Sequence, residues 1–192
     1  MWKAVILLFA CVLSGCATGP AVNSEDSRMA DFITRLKPSF PGVKRVSTEV
    51  STEVAGAGAG ARGDTHCHIV VDKTYFEKGV SDVELAFVLA HEMAHCDAKH
   101  NDTRRLFVDK TRFWEQEMFA DKMAIDATRN AGLGDVSVLA PADLPFFLRE
   151  SYPASGTHPG GAERLSALKG APINGLGLFV REGRIVIGKS PI

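Results

Sequence analysis

The feature that most constrains the fold of this chain is the segment VELAFVLAHEMAHCDAKH at residues 83–100. Ser81 and Glu84 form an S-x-x-E capping box ahead of it, which is a signature of a helix N-terminus. The residues from Leu85 to Ala90 are almost all apolar, which is typical of a helix buried in a core. We therefore predict a core helix from Asp82 to about His100.

The same segment carries the pattern H-E-x-x-H at His91, Glu92 and His95. Residues four apart lie on one face of a helix, so both imidazoles can reach one ion, with Glu92 beside them. A surface helix with solvated histidines is the plainer alternative, but burying these groups in a core is costly without a partner. A catalytic zinc ion is such a partner, because neutral imidazoles bind zinc and the site keeps one position open for water. His100 lies about 180° around the helix from His91, so we expect it behind the site or on the surface.

A second long helix, predicted to end at Asn130, offers a third ligand. Glu117 and Asp121 are again four residues apart and share a helix face. Glu117 can complete a His₂Glu zinc site, and Asp121 can accept the second N–H of a zinc-binding histidine and fix its orientation. Glu115 is the competing ligand, and an ordinary acidic helix face is the alternative interpretation.

Three ordered motifs resemble one family of zinc peptidases. VLAHEMAH is followed by EMFAD, and GTHPGGAERLSAL at 156–168 matches a family segment written S/T-H-P-x-x-x-x-R. Together they resemble the gluzincins that include HtpX, the type I CAAX prenyl endopeptidases and the BepA-like periplasmic proteases. The resemblance implies a minimal zincin-like domain, with one Zn²⁺ on His91, His95 and Glu117, Glu92 as general base, and Asp121 orienting His91.

The third motif adds His158 and Arg164 to the catalytic residues that the resemblance implies. The loop histidine of this family lies close to the zinc, so His158 is expected as a fourth ligand that blocks the water site or as an oxyanion donor. A surface histidine before Pro159 is the plainer alternative. Arg164 is expected to brace that loop or to contact the substrate backbone. The strand HCHIVVDK (66–73) is expected to be an edge strand that pairs with extended substrate, main chain to main chain.

The N-terminal sequence, MWKAVILLFACVLSGC, resembles a bacterial lipoprotein signal. Its apolar run is shorter than the roughly 20 residues that a membrane-spanning helix needs, and its last four residues resemble a lipobox. We predict a signal peptide at 1–15, lipidation of Cys16, a tether over 16–24 and a peptidase domain over 25–192. An ordinary signal peptide cut elsewhere, or an uncleaved anchor, is the alternative. Ala17 favours, by resemblance to enterobacterial sorting, the periplasmic face of the outer membrane.

This location leaves Cys67 and Cys96 in the mature domain. In an oxidising compartment they can form a disulfide, which would attach the end of the histidine helix to the strand that holds Cys67. Two separate buried thiols are the alternative. His66 and His68 alternate along the same strand and are expected to be structural.

The remaining segments predict an α+β fold with a mostly helical C-terminal half. Residues 43–54 alternate as a strand does, whereas AGAGAGARGD at 55–64 is predicted to be a flexible loop. PADLPFFLRE (141–150) and GAERLSALK (161–169) are predicted to be short helices, and residues 178–187 a hairpin. The glycines of the 55–64 segment formally match a dinucleotide fingerprint, but a strand follows them where a helix is required, so we dismiss that match.

Size and charge narrow the function. A chain of 192 residues with 45% hydrophobic content suits one domain with a real core. Its formal net charge of −1 gives no signal for nucleic-acid binding. We predict a lipid-anchored zinc endopeptidase that hydrolyses peptide bonds in unfolded or misassembled envelope proteins, as quality control. A zinc-bearing lipoprotein with a binding or chaperone role, whose peptidase site is latched or vestigial, is the alternative.

Overall fold

The computed structural model describes residues 24–54, 56–61, 65–99, 110–155, 158–168, 176–181 and 184–189. Its helices are α1 (Ser24–Leu36), α2 (Lys73–Glu77), α3 (Asp82–Asp97), α4 (Lys110–Asn130) and α5 (Gly161–Leu168). Its strands are β1 (Arg45–Ser51), β2 (Ala57–Ala61), β3 (His66–Asp72), β4 (Leu176–Arg181) and β5 (Arg184–Lys189). These elements make a mixed α+β fold, as the sequence predicts.

One three-stranded sheet lies behind the site, in the order β1-β3-β2, with β1 parallel and β2 antiparallel to β3. Cys67, Ile69 and Val71 of β3 are completely buried. Successive side chains of a strand point to opposite faces, so this set lies on one face, which packs against α3. His66 and His68 lie on the other face, as structural histidines would. The Oγ of a serine in β1 hydrogen-bonds both rings at 2.9 Å.

Two expectations about this sheet are wrong. Residues 57–61, predicted as a loop, form β2, whose register runs from Ala57 opposite Val71 to Ala61 opposite Cys67. Main-chain pairing with β3 therefore outweighs the poor strand propensity of glycine and alanine. As a consequence, HCHIVVDK does not supply an edge strand: β3 is paired on both sides, and the edges of the described sheet are β1 and β2.

The start of α3 shows one of the two hydrogen bonds expected of a capping box. Ser81 Oγ accepts the backbone N–H of Glu84 at 3.2 Å, as a capping box requires. The Glu84 carboxylate instead accepts the backbone N–H of Phe146 at 3.4 Å, which joins the helix to a distant part of the chain. From Leu85 to His95 every residue of α3 is buried, so the helix lies in the core as predicted.

The end of α3 comes earlier than expected, at Asp97. Two residues later Lys99 has a φ of 57°, in the left-handed region where a helix cannot continue. Asp97 Oδ1 also accepts the backbone N–H of Gly42 at 2.6 Å, which fixes the helix end to the loop before β1. The prediction for His100 lies outside the described residues.

The segment after α4 is less helical than predicted. Gly132 has a φ of 64°, which is the glycine C-cap expected behind α4. The stretch 141–150 forms two single 3₁₀ turns, Pro141–Asp143 and Phe146–Leu148, where one short helix was expected. Pro145 separates them because it has no N–H to donate and disfavours the helical conformation at Leu144, whose ψ is 145°.

The predictions for the C-terminal part are confirmed within the described residues. Helix α5 covers nearly all of GAERLSALK, and β4 pairs with β5 in antiparallel register from Leu176 opposite Lys189 to Arg181 opposite Arg184. The expected turn at 182–183 lies outside the described residues. So do residues 1–23, with the predicted signal peptide, Cys16 and most of the tether. No helix in the described part of the chain is long and apolar enough to cross a lipid bilayer.

Candidate metal centre

Helices α3 and α4 pack against each other and bring the three predicted ligands together. His91, His95 and Glu117 are all buried, and each offers a ligand atom within 4.8 Å of those of the other two. The two imidazole Nε2 atoms are 3.0 Å apart. The Glu117 carboxylate oxygens lie 3.4 Å from His91 Nε2 and 3.3 Å from His95 Nε2. The chain therefore holds a compact His₂Glu cluster inside the domain.

The chemistry of this cluster fits a zinc ion. The Nε2 atoms of His91 and His95 face each other, so at most one of them can donate a proton to the other. Glu117 Oε2 is buried and has no hydrogen-bond partner among the described residues, which is costly for a carboxylate oxygen. A divalent cation between these atoms would satisfy all of them, and two imidazoles with one carboxylate is a ligand set of catalytic zinc.

The charges around His91 also favour a cation. Burial lowers the pKa of His91, but the close contacts with the carboxylates of Asp121 and Glu117 and their negative charges outweigh burial and raise that pKa to about 10. Burial raises the pKa of Glu117, but His91 and His95 hold it well below its ordinary range. Glu117 is therefore deprotonated, and the positive charge that the site requires can come from a proton or from a metal ion.

Behind the cluster, Asp121 and Arg164 form a buried ion pair. Asp121 Oδ1 lies 3.0 Å from His91 Nδ1, where the carboxylate can orient the ring. Arg164 donates from Nε to Asp121 Oδ2 at 2.8 Å and from Nη2 to Oδ1. Its guanidinium also lies 4.6 Å from the ring centroid of Phe147.

This geometry favours the first of the two roles expected for Arg164, bracing of the site rather than contact with the substrate backbone. The side chain borders the cavity but is only 3% exposed, and two of its donors bind Asp121. It holds the carboxylate that faces His91, and it does so from α5, which follows the His158 loop. Arg164 therefore holds Asp121 in place beside His91.

His158 lies at the rim of the cluster. Its side chain is 48% exposed, and Nε2 is 3.7 Å from Glu117 Oε1. Its backbone N–H donates to Ser155 Oγ at 3.1 Å, and Ser155 N–H donates back to the His158 carbonyl at 2.8 Å. The His158 imidazole lies towards the ligand Glu117, a position that suits either a fourth ligand or an oxyanion donor.

Glu92 borders a cavity beside the cluster. The cavity has about 550 Å³ of empty volume, including space open to solvent, and His91, Glu117 and His158 line it as well. Glu92 is only 8% exposed. A carboxylate, the candidate metal ligands and an exposed imidazole thus meet around one space that a substrate can enter.

A disulfide joins Cys67 of β3 to Cys96 of α3. Cys96 directly follows His95, so the covalent bond holds the C-terminal end of the histidine helix against the central strand. Cys67 Sγ is also within 3.9 Å of the Glu92 carbonyl oxygen.

The cavity contains four aromatic residues that no sequence motif singled out. They are Tyr75, Phe146, Phe147 and Tyr152, and they include both tyrosines of the chain. No local pattern predicts this grouping: Phe146 and Phe147 lie in a segment predicted to be a short helix, and the four rings come together only through tertiary packing.

Comparison with known proteins agrees with the metal centre. Residues 27–115 match the family model of peptidase family M48. The match includes His91, Glu92 and His95 and ends two residues before Glu117, so the third ligand rests on the geometry of the fold. No curated protein and no solved structure matches the chain.

Proposed function

With residues 27–115 assigned to metallopeptidase family M48, we propose that this chain is a zinc-dependent endopeptidase with a zincin-like active site. The observation that carries the proposal is the buried cluster of His91, His95 and Glu117, which borders the same cavity as Glu92. One Zn²⁺ per chain would be held by these three ligands. When bound, it supplies a Lewis acid that polarises a carbonyl group and makes water a stronger acid.

The residues of the chain have separate tasks in this mechanism. Glu92 takes the proton of the attacking water and returns it to the leaving amine, which is the work of a general acid–base. Asp121 fixes the ring of His91, and Arg164 fixes Asp121. His158 is placed either to donate to the developing oxyanion or to cover the position that water must occupy.

Substrate would bind along β2. This strand is an edge of the described sheet, and Gly56 and Ala57 border the cavity. An extended peptide can add to such an edge by main-chain hydrogen bonds, and the glycines and alanines of β2 present almost no side chain to it. This mode of binding favours unfolded segments of varied sequence as substrates.

For location, we propose a lipid anchor at Cys16, after removal of residues 1–15, on the periplasmic face of the outer membrane. Two features support this: the lipobox-like end of the N-terminal segment, and a Cys67–Cys96 disulfide, which is typical of oxidising compartments. The substrates would then be unfolded or misassembled envelope proteins, with no role for nucleic acid.

One observation favours a second function. The His158 imidazole lies 3.7 Å from a Glu117 oxygen, so it can close the site as a fourth ligand. The chain would then be a zinc-bearing lipoprotein that binds or chaperones unfolded polypeptides, with its peptidase site latched.

The decisive experiment compares the zinc-loaded wild type with Glu92→Gln on unfolded casein and on an envelope proteome with N-terminal profiling. Glu92→Gln should retain stoichiometric zinc and lose cleavage, because the carboxamide cannot take a proton. Peptide ends that do not differ between the two proteins would reject the peptidase function. His158→Ala separates the two roles of that residue: activity rises if His158 is a latch and falls if it is a donor.

A further inference from the structure

One side of the cavity is a connected aromatic wall with Phe146 at its centre. The ring centroid of Phe146 lies 5.5 Å from Tyr75, 5.3 Å from Phe147 and 5.4 Å from Tyr152. All three pairs are edge-to-face, which is a favourable arrangement of aromatic rings at these distances. The wall is therefore one packed unit, distinct from the polar side of the cavity that holds His91, Glu92 and Glu117.

The wall is fixed from behind. Phe147 stacks on Phe87 of α3 at 5.8 Å between centroids and packs against the Arg164 guanidinium on another side. The backbone N–H of Phe146 donates to the Glu84 carboxylate. Because Phe87 and Glu84 belong to the same helix as His91, the wall and the metal ligands keep a fixed relation to each other.

The two rings that remain available to a ligand are those of Phe146 and Tyr152. Both are half-buried and border the cavity, whereas Tyr75 and Phe147 are each only 8% exposed and support them. Gly56, just before β2, also faces this place: a Cβ at Gly56 would lie 3.9 Å from Phe146 Cζ. Phe146 therefore lies next to the start of β2, along which we propose that the substrate binds.

The charges near the wall are unfavourable for an acidic side chain. Burial raises the pKa of Tyr75, and the carboxylates of Glu84 and Glu92 raise it further, so its phenol stays neutral. Among the described residues that line the cavity, Arg164 is the only lysine or arginine, and it is bound to Asp121. At the wall itself, an incoming carboxylate would meet aromatic rings and no lysine or arginine of the described lining other than Arg164.

We propose that this aromatic wall is the subsite that selects the substrate residue flanking the scissile bond: it accepts large apolar side chains, aromatic ones foremost, and rejects acidic ones. The inference rests on the proposed peptidase function of the same site. The main chain of the substrate is bound by β2 without regard to sequence, and selectivity comes from the wall formed by Phe146 and Tyr152. Burying a phenylalanine or leucine side chain there corresponds to about a 10- to 150-fold gain in kcat/KM over alanine.

The test uses the zinc-loaded full chain and a set of unfolded peptides that differ at one position, with phenylalanine, leucine, alanine or aspartate there. We expect kcat/KM to fall in that order. Phe146→Ala should reduce the phenylalanine-over-alanine ratio to about 5 or less, because it removes the ring that the substrate contacts. Phe146→Leu, which preserves most of the packing, should give an intermediate ratio if the alanine variant does not fold. Val138→Ala, at a residue that is 78% exposed and outside the cavity lining, is the control that should keep the wild-type ratio.

A binding measurement separates this inference from the peptidase proposal. The zinc-loaded Glu92→Gln protein should bind the phenylalanine peptide more tightly than the alanine peptide in calorimetry, and Phe146→Leu added to it should narrow the gap. Cleavage that depends on Glu92 but does not discriminate among the four peptides overturns the subsite and leaves the peptidase intact. Selective binding without any cleavage rejects the peptidase function and keeps the aromatic subsite as a peptide-binding site.

Discussion

The buried pair of Asp121 and Arg164 offers the sharpest test of how the metal centre is held. Asp121 is 0% exposed and Arg164 3% exposed, and two hydrogen bonds join them. Arg164→Met keeps an unbranched side chain but removes the charge and leaves a buried carboxylate without its cation. Removing one partner of a buried ion pair costs about 3–5 kcal/mol of unfolding free energy. Loss of the guanidinium contact with Phe147 is a further cost of about 0.5–2 kcal/mol at most.

The same pair predicts how this cost depends on pH. Burial raises the pKa of Asp121, but the Arg164 charge, the close contact with His91 and the hydrogen bonds from Arg164 outweigh burial and hold that pKa below the ordinary value of 3.8. A carboxylate with a depressed pKa contributes stability above its ordinary pKa and loses that contribution as pH falls through the folded value. The difference between wild type and Arg164→Met should therefore be largest near pH 7 and should shrink below about pH 4.

The chain supplies a matched control for this experiment. Arg129 and Asp135 form an ion pair at 2.8 Å, but their side chains are 51% and 23% exposed. Arg129→Met should therefore cost only about 0–1 kcal/mol, as surface pairs do. Urea unfolding of both variants, with zinc and with a chelator, measures the two costs. Equal costs for the two substitutions would refute the claim that the buried pair supports the fold.

A second readout links the pair to the metal. Because Asp121 faces His91 Nδ1, a carboxylate that has lost Arg164 should orient the ring less well, and zinc affinity should fall about 10- to 100-fold. Arg164→Lys keeps the charge but not the planar two-donor contact. We expect it to recover part of the stability and little of the zinc affinity, measured by competition with a chelating dye.

Three further predictions concern the disulfide, the metal and one glycine. Reducing the Cys67–Cys96 bond, which spans 29 residues, should cost roughly 3–4 kcal/mol of unfolding free energy and should lower zinc affinity; equal urea midpoints for the oxidised and reduced protein would contradict this. With zinc chelated, the pKa of His91 is about 10 in the folded chain against an ordinary 6.5, so the contribution of His91 to stability is fully present below pH 6.5 and is lost as pH rises towards 10. The zinc-bound protein should not show this loss in a thermal-unfolding series over the same pH range. Gly161→Ala should destabilise the chain by about 1–3 kcal/mol, because a Cβ there would lie 1.8 Å from the Arg149 carbonyl oxygen; Gly58→Ala, where a Cβ meets nothing within 4 Å, is the control in the same urea assay.

The metal cluster could be predicted from sequence because helices have a fixed geometry. A spacing of four residues places two side chains on one face whatever the rest of the fold does. This rule applies to the histidine pair in α3 and again to Glu117 and Asp121 in α4. The only non-local step is the expectation that the two helix faces meet. Zinc chemistry justifies that expectation, because two histidines need a third protein ligand to complete the site.

The errors concern contacts between segments far apart in the chain. Nothing within AGAGAGARGD predicts that it pairs with β3. Because this pairing places β2 outside β3, β2 is an edge strand and β3 is central, the opposite of the prediction. Likewise, the motif containing Arg164 cannot tell whether the guanidinium faces substrate or core, because its partner Asp121 is 43 residues away. Strand order and the direction of a charged side chain depend on tertiary packing, and local patterns carry little information about either.

Helix α3 explains why the metal centre and the aromatic wall belong to one functional unit. It is attached near its start by Glu84 to Phe146, in its middle by His91 to Asp121, and at its end by Cys96 to β3. The contact with the aromatic wall at Glu84 and the candidate general base Glu92 are eight residues apart on this helix, which is about 12 Å along its axis. A rotation of α3 that displaces His91 must therefore also displace Phe146, so a change that loosens any of these attachments should alter metal affinity and side-chain selectivity together.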